Sequence, residues 1–188
     1  MQIFKKLPLI FILGLGSCST IPKSYFTTDT RNKIEEKSIA VDKLQYYVDS
    51  DVELRRELSS RDAKVSISGK VKFENGKYIH IILLKKGTLG VCTGVHKNTL
   101  DITFESGDGK NLTFGVPDRA GAGTVYRLFA DQWIRNNNVA EIGKVTYDGE
   151  IYFIQHNGSG PVARLMIRKS VTDKFEVNKR VMSGRKVG

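Results

Sequence analysis

The sequence predicts a mainly β domain: an antiparallel meander that closes into a small barrel or sandwich, with at most one or two short helices. Apolar and polar residues alternate in several short runs, as at residues 100–104, and a period of two is typical of strands with one buried face. Asn75-Gly76 and Asp148-Gly149 are residue pairs favoured in type I′ hairpin turns. The short connections exclude a parallel α/β fold, which needs long crossovers.

The alternating runs place a β-domain at residues 41–170. In chain order they fall at residues 44–48, 52–54, 65–73, 79–83, 89–93, 100–104, 112–116, 145–153 and 163–167. Residues 55–58 fit a strand or a helix, because their periodicity does not decide between the two. Residues 131–138 are the best candidate for a helical turn or loop inside the domain.

The composition is that of one globular, basic domain. The chain has 188 residues, of which 40% are hydrophobic and 27% charged, with a formal net charge of +10. This length excludes two full domains plus a tether. The positive charge suits an envelope protein, a glycan or an anionic lipid as partner. Nucleic acid is not expected as a partner if the chain is exported.

The N-terminus carries the most specific pattern in the chain. Lys5 and Lys6 precede an apolar stretch at residues 7–16, which is shorter than the roughly 20 residues that a membrane-spanning helix needs. The stretch instead has the length of the apolar region of a signal peptide. It ends in Leu15-Gly16-Ser17-Cys18, which resembles the lipobox of bacterial lipoproteins.

This resemblance implies a maturation route and a location. The signal peptide, residues 1–17, is cleaved between Ser17 and Cys18, and Cys18 then carries a diacylglyceryl thioether and an amide-linked acyl chain such as palmitate. Several acyl chains anchor a protein stably at a membrane. Ser19 at the next position implies the outer membrane, and the lack of an acidic cluster at residues 19–23 implies a periplasm-facing position. The remainder resembles the small β-rich envelope lipoproteins of diderm bacteria such as Bacteroidetes.

Two segments flank the predicted β-domain. Residues 18–40 are mostly polar and predict a lipidated tether, in which residues 30–37 could form a short helix capped by Asp29 or Thr30. Residues 171–188 predict a basic C-terminal tail that ends in a strand near Phe175 and then frays.

No pattern for catalysis, metal or cofactor binding is found. Cys92 and His96 are four residues apart, but a strand running into a turn does not bring such a pair together, so a buried structural cysteine is expected. His80, His96 and His156 fall in separate hairpins. Residues 115–124 are glycine-rich yet lack the lysine of a phosphate-binding loop.

Four residues are candidates for ligand or partner contact. Asp118 and Arg119 lie in the glycine-rich loop, and loops are frequent binding elements. Tyr47 and Tyr152 belong to adjacent or alternating aromatics, one member of which should face outward beside basic residues; cross-strand packing is the alternative.

Three functional hypotheses follow. The first is a membrane-anchored, non-enzymatic binding or assembly module of the envelope. The second is a β-barrel that carries an apolar ligand in its interior. The third and weakest is an envelope hydrolase that uses Cys92 or carboxylates such as Asp101, Glu105 and Asp108.

Overall fold

The structure, a computed structural model, describes residues 21–63, 70–136, 140–156 and 162–176. Within these residues, thirteen strands form two antiparallel sheets. The signal peptide, Cys18 and the predicted strand positions Val65 and Ile67 lie outside the described residues. No helix in the described part of the chain is long and apolar enough to cross a membrane.

The seven-stranded sheet joins the two ends of the described chain. Its strands, in spatial order, are β1 (Lys23–Tyr25), β13 (Leu165–Arg168), β2 (Gln45–Val48), β6 (Leu89–Val95), β7 (Thr99–Thr103), β8 (Asn111–Gly115) and β9 (Arg127–Leu128). An isolated bridge between Arg127 and Arg164 also connects β9 with the segment that leads into β13.

The second sheet has six strands. In spatial order these are β10 (Gln132–Asn136), β11 (Ala140–Tyr147), β12 (Glu150–His156), β3 (Val52–Leu58), β5 (Lys77–Leu84) and β4 (Lys70–Glu74). Three α-helices accompany the sheets: α1 (Thr28–Glu36), α2 (Ser60–Ala63) and α3 (Lys169–Glu176).

The mainly β, antiparallel class is confirmed, and the two sheets share one hydrophobic cluster in a sandwich-like arrangement. The strand ladders do not close into a barrel, and the described residues contain three helices where at most two were expected. The meander is only local, since β6–β9 and β10–β12 are sequential neighbours whereas β1 pairs with β13 and β12 with β3. Distant parts of the chain pair because each sheet buries one apolar face against the other.

Both predicted type I′ turns are present. Asn75 and Gly76 have φ values of 49° and 77°, and Asp148 and Gly149 have values of 54° and 73°. Positive φ at both central residues matches the right-handed twist of the flanking strands. Residues 55–58, which the pattern left open, continue β3 as a strand.

The tether prediction for residues 18–40 is wrong from β1 onward. Phe26 and Ile34 are 0% exposed, and α1 begins at an N-cap formed by Thr27, whose Oγ1 accepts a hydrogen bond from Thr30 N at 3.1 Å. The predicted caps, Asp29 and Thr30, lie inside the helix. The segment was misread because only two apolar residues, widely spaced among polar ones, fix it to the core.

A buried arginine fastens α1 to the sheets. The Arg31 guanidinium donates hydrogen bonds to Glu35 Oε1 at 2.7 Å, to Tyr126 Oη at 3.0 Å and to the His96 carbonyl at 2.8 Å. Three acceptors around one buried cation offset much of its desolvation. Removing any partner would leave a buried charge without its hydrogen bond.

Two further predictions are corrected. The best helix candidate, residues 131–138, contains strand β10, because Trp133 pairs with Gly143 of β11 and packs against the core. A side chain at position 143 would lie 2.9 Å from Trp133 Cζ3. The strand expected near Phe175 is instead α3, which packs on β1 and β13 and turns Val171 toward the core.

The burial of Ile34 gives a direct test of whether residues 23–40 are folded. Ile34→Ala should lower the free energy of unfolding by about 2–5 kcal/mol, because it leaves a cavity in the core. Ile39→Ala, in the exposed connection after α1, should lower it by less than about 1 kcal/mol. Urea unfolding measures both values, and equally small losses would support the tether interpretation.

Candidate functional site

The outward face of the six-stranded sheet carries a groove of about 470 Å³. Four apolar side chains form its floor: Ile79 of β5, Ile134 of β10, Ile142 of β11 and Phe153 of β12. Polar and charged residues form the rim: Arg55, Arg56, Glu57, Glu74, Asn75 and Lys77. The groove therefore combines an apolar floor with a charged border.

Strand alternation separates this groove from the core. Leu54 pairs with Ile154 and both are buried, whereas the next pair along the ladder, Arg55 and Phe153, lines the groove. Successive side chains point to opposite faces of a sheet. The same two strands thus supply core residues on one face and groove residues on the other.

Exposed apolar surface continues beyond the groove. Leu83 and Ile151 are both exposed. Leu83 lies on β5 at even spacing from Ile79, and Ile151 lies two residues from Phe153, so both belong to the groove face. Contiguous exposed apolar surface with a polar border is typical of interaction sites.

The charges of the rim are paired with one another. Arg55 contacts Glu53 at 3.1 Å and also Glu74, while Lys77 contacts Glu57 at 2.7 Å. A hydrogen bond from Lys72 lowers the pKa of the Glu74 carboxyl, and Arg55 adds to this effect. Partly exposed pairs of this kind contribute little to stability, but they hold the border in a defined geometry.

Tyr47 and Tyr152 do not form an exposed row. Each is 3% exposed, and Tyr46, the neighbour of Tyr47, is also buried. Tyr47 Oη accepts a hydrogen bond from Arg168 Nε at 3.0 Å, and Tyr152 Oη is hydrogen-bonded to His80 Nδ1 at 3.0 Å. The basic side chains of Lys23 and Arg168 contact Tyr47, whereas Tyr152 belongs to the hydrophobic core.

Asp118 and Arg119 are exposed in the loop after β8. Asn98 Nδ2 donates a hydrogen bond to Asp118 Oδ1 at 2.8 Å, so the loop is tied to the β6–β7 hairpin. Neither residue lines the groove, and the structure does not bring them together with Tyr47 or Tyr152.

Cys92 and His96 lie in different environments. Cys92 belongs to the hydrophobic core and its thiol donates to the Gly94 carbonyl at 3.3 Å; burial raises the pKa of this thiol. His96 Nε2 is exposed and lies 2.8 Å from Asp101 Oδ2. Glu105, a second candidate carboxylate, accepts instead from Tyr147 Oη at 2.5 Å. In the described residues, no group of three His, Cys, Asp or Glu side chains could hold a metal ion.

The sequence interpretation missed the groove, although one signal was present. Residues 77–84 read Lys-Tyr-Ile-His-Ile-Ile-Leu-Leu, a run that is apolar on both faces of the strand. One face of β5 enters the core at His80 and Leu84, and the other carries the surplus apolar residues. Comparison with protein-family models, curated proteins and solved structures found no match for the chain.

The rim electrostatics can be tested by NMR. The folded protein holds the pKa of Glu74 below its ordinary value. Ionised Glu74 therefore stabilises the fold at neutral pH, and this contribution is lost as the pH falls through the lowered pKa. Lys72→Met should raise the pKa toward its ordinary value. A carboxyl ¹³C titration measures the change, with Lys70→Met as the control for the loss of one charge on the same strand. An equal rise in both variants would contradict the specific pairing.

The buried state of Cys92 can be tested by alkylation. In the folded protein, iodoacetamide should modify Cys92 at least about tenfold more slowly than in urea, because the thiol is shielded and its pKa is raised. Mass spectrometry of the peptide that contains Cys92 measures the rate separately from any other cysteine. Rapid modification of the folded protein would reveal an accessible thiol and would favour the hydrolase hypothesis.

Proposed function

We propose that this protein is a bacterial envelope lipoprotein, anchored at the periplasmic side of the outer membrane through acylated Cys18, that binds a partner protein without catalysis. The anchor is supported by the lipobox at residues 15–18. The binding role is supported by one observation, the groove of about 470 Å³ with its apolar floor and paired charged rim.

The extent of the apolar surface favours a protein segment as the bound partner. Ile134 and Phe153 in the groove, and Leu83 and Ile151 beyond it, are all exposed. A segment lying across the sheet from β5 to β10 would place apolar side chains on these residues. Arg55 and its partner Glu53, both on the intervening strand β3, would face the polar parts of such a segment.

A second candidate function is transport of a small apolar ligand. The groove volume falls within the range of about 300–1,000 Å³ that is usual for small-molecule sites, and its floor is apolar. This ligand would occupy the outward groove, since the space between the sheets holds the common core. We do not extend the proposal to a hydrolase, because Cys92 is buried and His96 pairs with Asp101.

Photo-crosslinking in cells tests the proposed function. A photoreactive amino acid in place of Ile134 should form a protein adduct of defined mass. Phe153→Asp should reduce that adduct at least about tenfold, because it places an unpaired charge on the apolar floor. The matched control is Phe73→Asp, which changes an exposed aromatic residue of β4 that does not line the groove.

The outcomes separate the candidates. A protein adduct that Phe153→Asp abolishes and Phe73→Asp preserves supports the proposed function. A small-molecule adduct alone supports the carrier. A role for the groove is contradicted if no adduct forms. It is also contradicted if both variants lose the adduct equally while each keeps the near-ultraviolet circular dichroism of the folded protein. Intact-mass analysis of the Cys18 peptide tests the anchor, and an unmodified cysteine would contradict it.

A further inference from the structure

The short distance between Cys18 and the folded domain limits where the domain can lie. The carbonyl of Pro22 accepts a hydrogen bond from Lys169 N at 2.9 Å, so the chain is fixed to the fold from Pro22 onward. Three residues lie between Cys18 and Pro22, so the two are four steps apart along the chain, and an extended chain spans at most about 3.6 Å per step. A lipid carried on Cys18 would therefore hold Pro22 within about 14 Å of the acylated residue.

The surface beside Pro22 combines basic and apolar side chains. We call it the anchor-side face, and it consists of Lys23, Tyr25, Leu89, Val91, Arg168 and Lys169. Its members share one side of the seven-stranded sheet or lie at its edge. Tyr47 lies between several of them: Lys23 Nζ is 4.6 Å from the centre of the Tyr47 ring, and Arg168 donates a hydrogen bond to the Tyr47 hydroxyl. Tyr47 pairs with Leu89, and Gln45 pairs with Val91.

The apolar members of this face are turned to solvent. Leu89 is 58% exposed, Val91 is 54% exposed and Tyr25 is 39% exposed. Directly opposed residues of an antiparallel pair lie on the same side of a sheet, which places Leu89 and Val91 beside the basic residues. Apolar side chains next to cations are typical of surfaces that bind at the membrane interface.

The charges of this face differ from those of the groove. Four cations at or beside this face form no ion pair with a described residue: Lys23, Arg168, Lys169 and Lys174. Asp173 is the one acidic residue among positions 168–174, and the sequence from 168 to 188 holds seven basic and two acidic residues. Within the described residues, the cations beside Pro22 are thus not neutralised by ion pairs, and the sequence after residue 176 adds further positive charge.

We infer that the anchor-side face docks on the anionic phospholipid surface in which Cys18 is anchored. This inference rests on the proposed acylation of Cys18. Lysine and arginine are attracted to an anionic leaflet, and Leu89, Val91 and Tyr25 enter the headgroup region. The domain lies against the membrane and is not raised above it by a spacer.

Lysine footprinting on vesicles tests the inference with the native acylated protein. The protein is placed in vesicles of neutral phosphatidylcholine or in vesicles with about 30% phosphatidylglycerol, and is acetylated with a membrane-impermeant reagent. Lys23, Lys169 and Lys174 should react at least about threefold more slowly on the anionic vesicles, and about 0.5 M salt should remove most of the difference. Lys70 on β4 and Lys144 on β11, both in the six-stranded sheet, should react equally on both and serve as internal controls.

A charge-reversal pair adds a second readout. Lys169→Glu with Lys174→Glu should remove the protection of Lys23 on anionic vesicles, whereas Lys70→Glu with Lys144→Glu, on the six-stranded sheet, should preserve it. Equal acetylation of Lys23 on both vesicle types, in protein that floats with the vesicles, overturns the docking inference and leaves the proposed anchor intact. Protein that does not float and has an unmodified Cys18 overturns both the anchor and the docking.

Discussion

The antiparallel pairing of β1 with β13 is the constraint on which the rest of the structure depends. Lys23 pairs with Arg168 and Tyr25 with Met166, so the beginning and the end of the described chain lie side by side. Just beyond this ladder, Phe26 N donates to Leu165 O at 2.9 Å, and Tyr126 N donates to Phe26 O at 3.0 Å. Joining such distant segments costs loop-closure entropy, which the burial of Phe26 and Ile34 offsets. The same pairing fixes Pro22 next to α3 and thereby sets the reach of the residue proposed as the anchor.

The two faces of the six-stranded sheet divide between the hydrophobic core and the proposed binding groove. On one face, Leu54 and Ile154 join the common core; on the other, Arg55 and Phe153 line the groove. A shift of the register by one residue would exchange the two sets. The type I′ turns at Asn75-Gly76 and Asp148-Gly149 oppose such a shift, because each sets the pairing of the strands that it connects. The groove therefore depends on these two turns, and Asn75 of the first turn is also part of its rim.

The two proposed contact surfaces lie on different sheets. The anchor-side face belongs mainly to the seven-stranded sheet, and its cations, which form no ion pair with a described residue, lie beside exposed apolar residues. The groove belongs to the six-stranded sheet and has paired charges around an apolar floor. This difference in charge fits the two partners proposed. Free cations attract a diffuse anionic surface, whereas paired charges favour the defined contacts of a single partner. The proposed attachment to lipid would thus leave the groove available.

The sequence by itself determined the mainly β, antiparallel class, the positions of most strands and both type I′ turns, because alternation and turn chemistry are local properties. It also located the predicted lipobox, which is a linear pattern. The tertiary structure decided the role of residues 23–40, the strand at Gln132–Asn136, the helix at Lys169–Glu176 and the burial of Tyr47 and Tyr152. It also decided the groove, whose floor residues come from four strands. Each of these depends on which distant strand lies alongside, and hydrophobic periodicity shows that a residue has a buried face without showing what covers it.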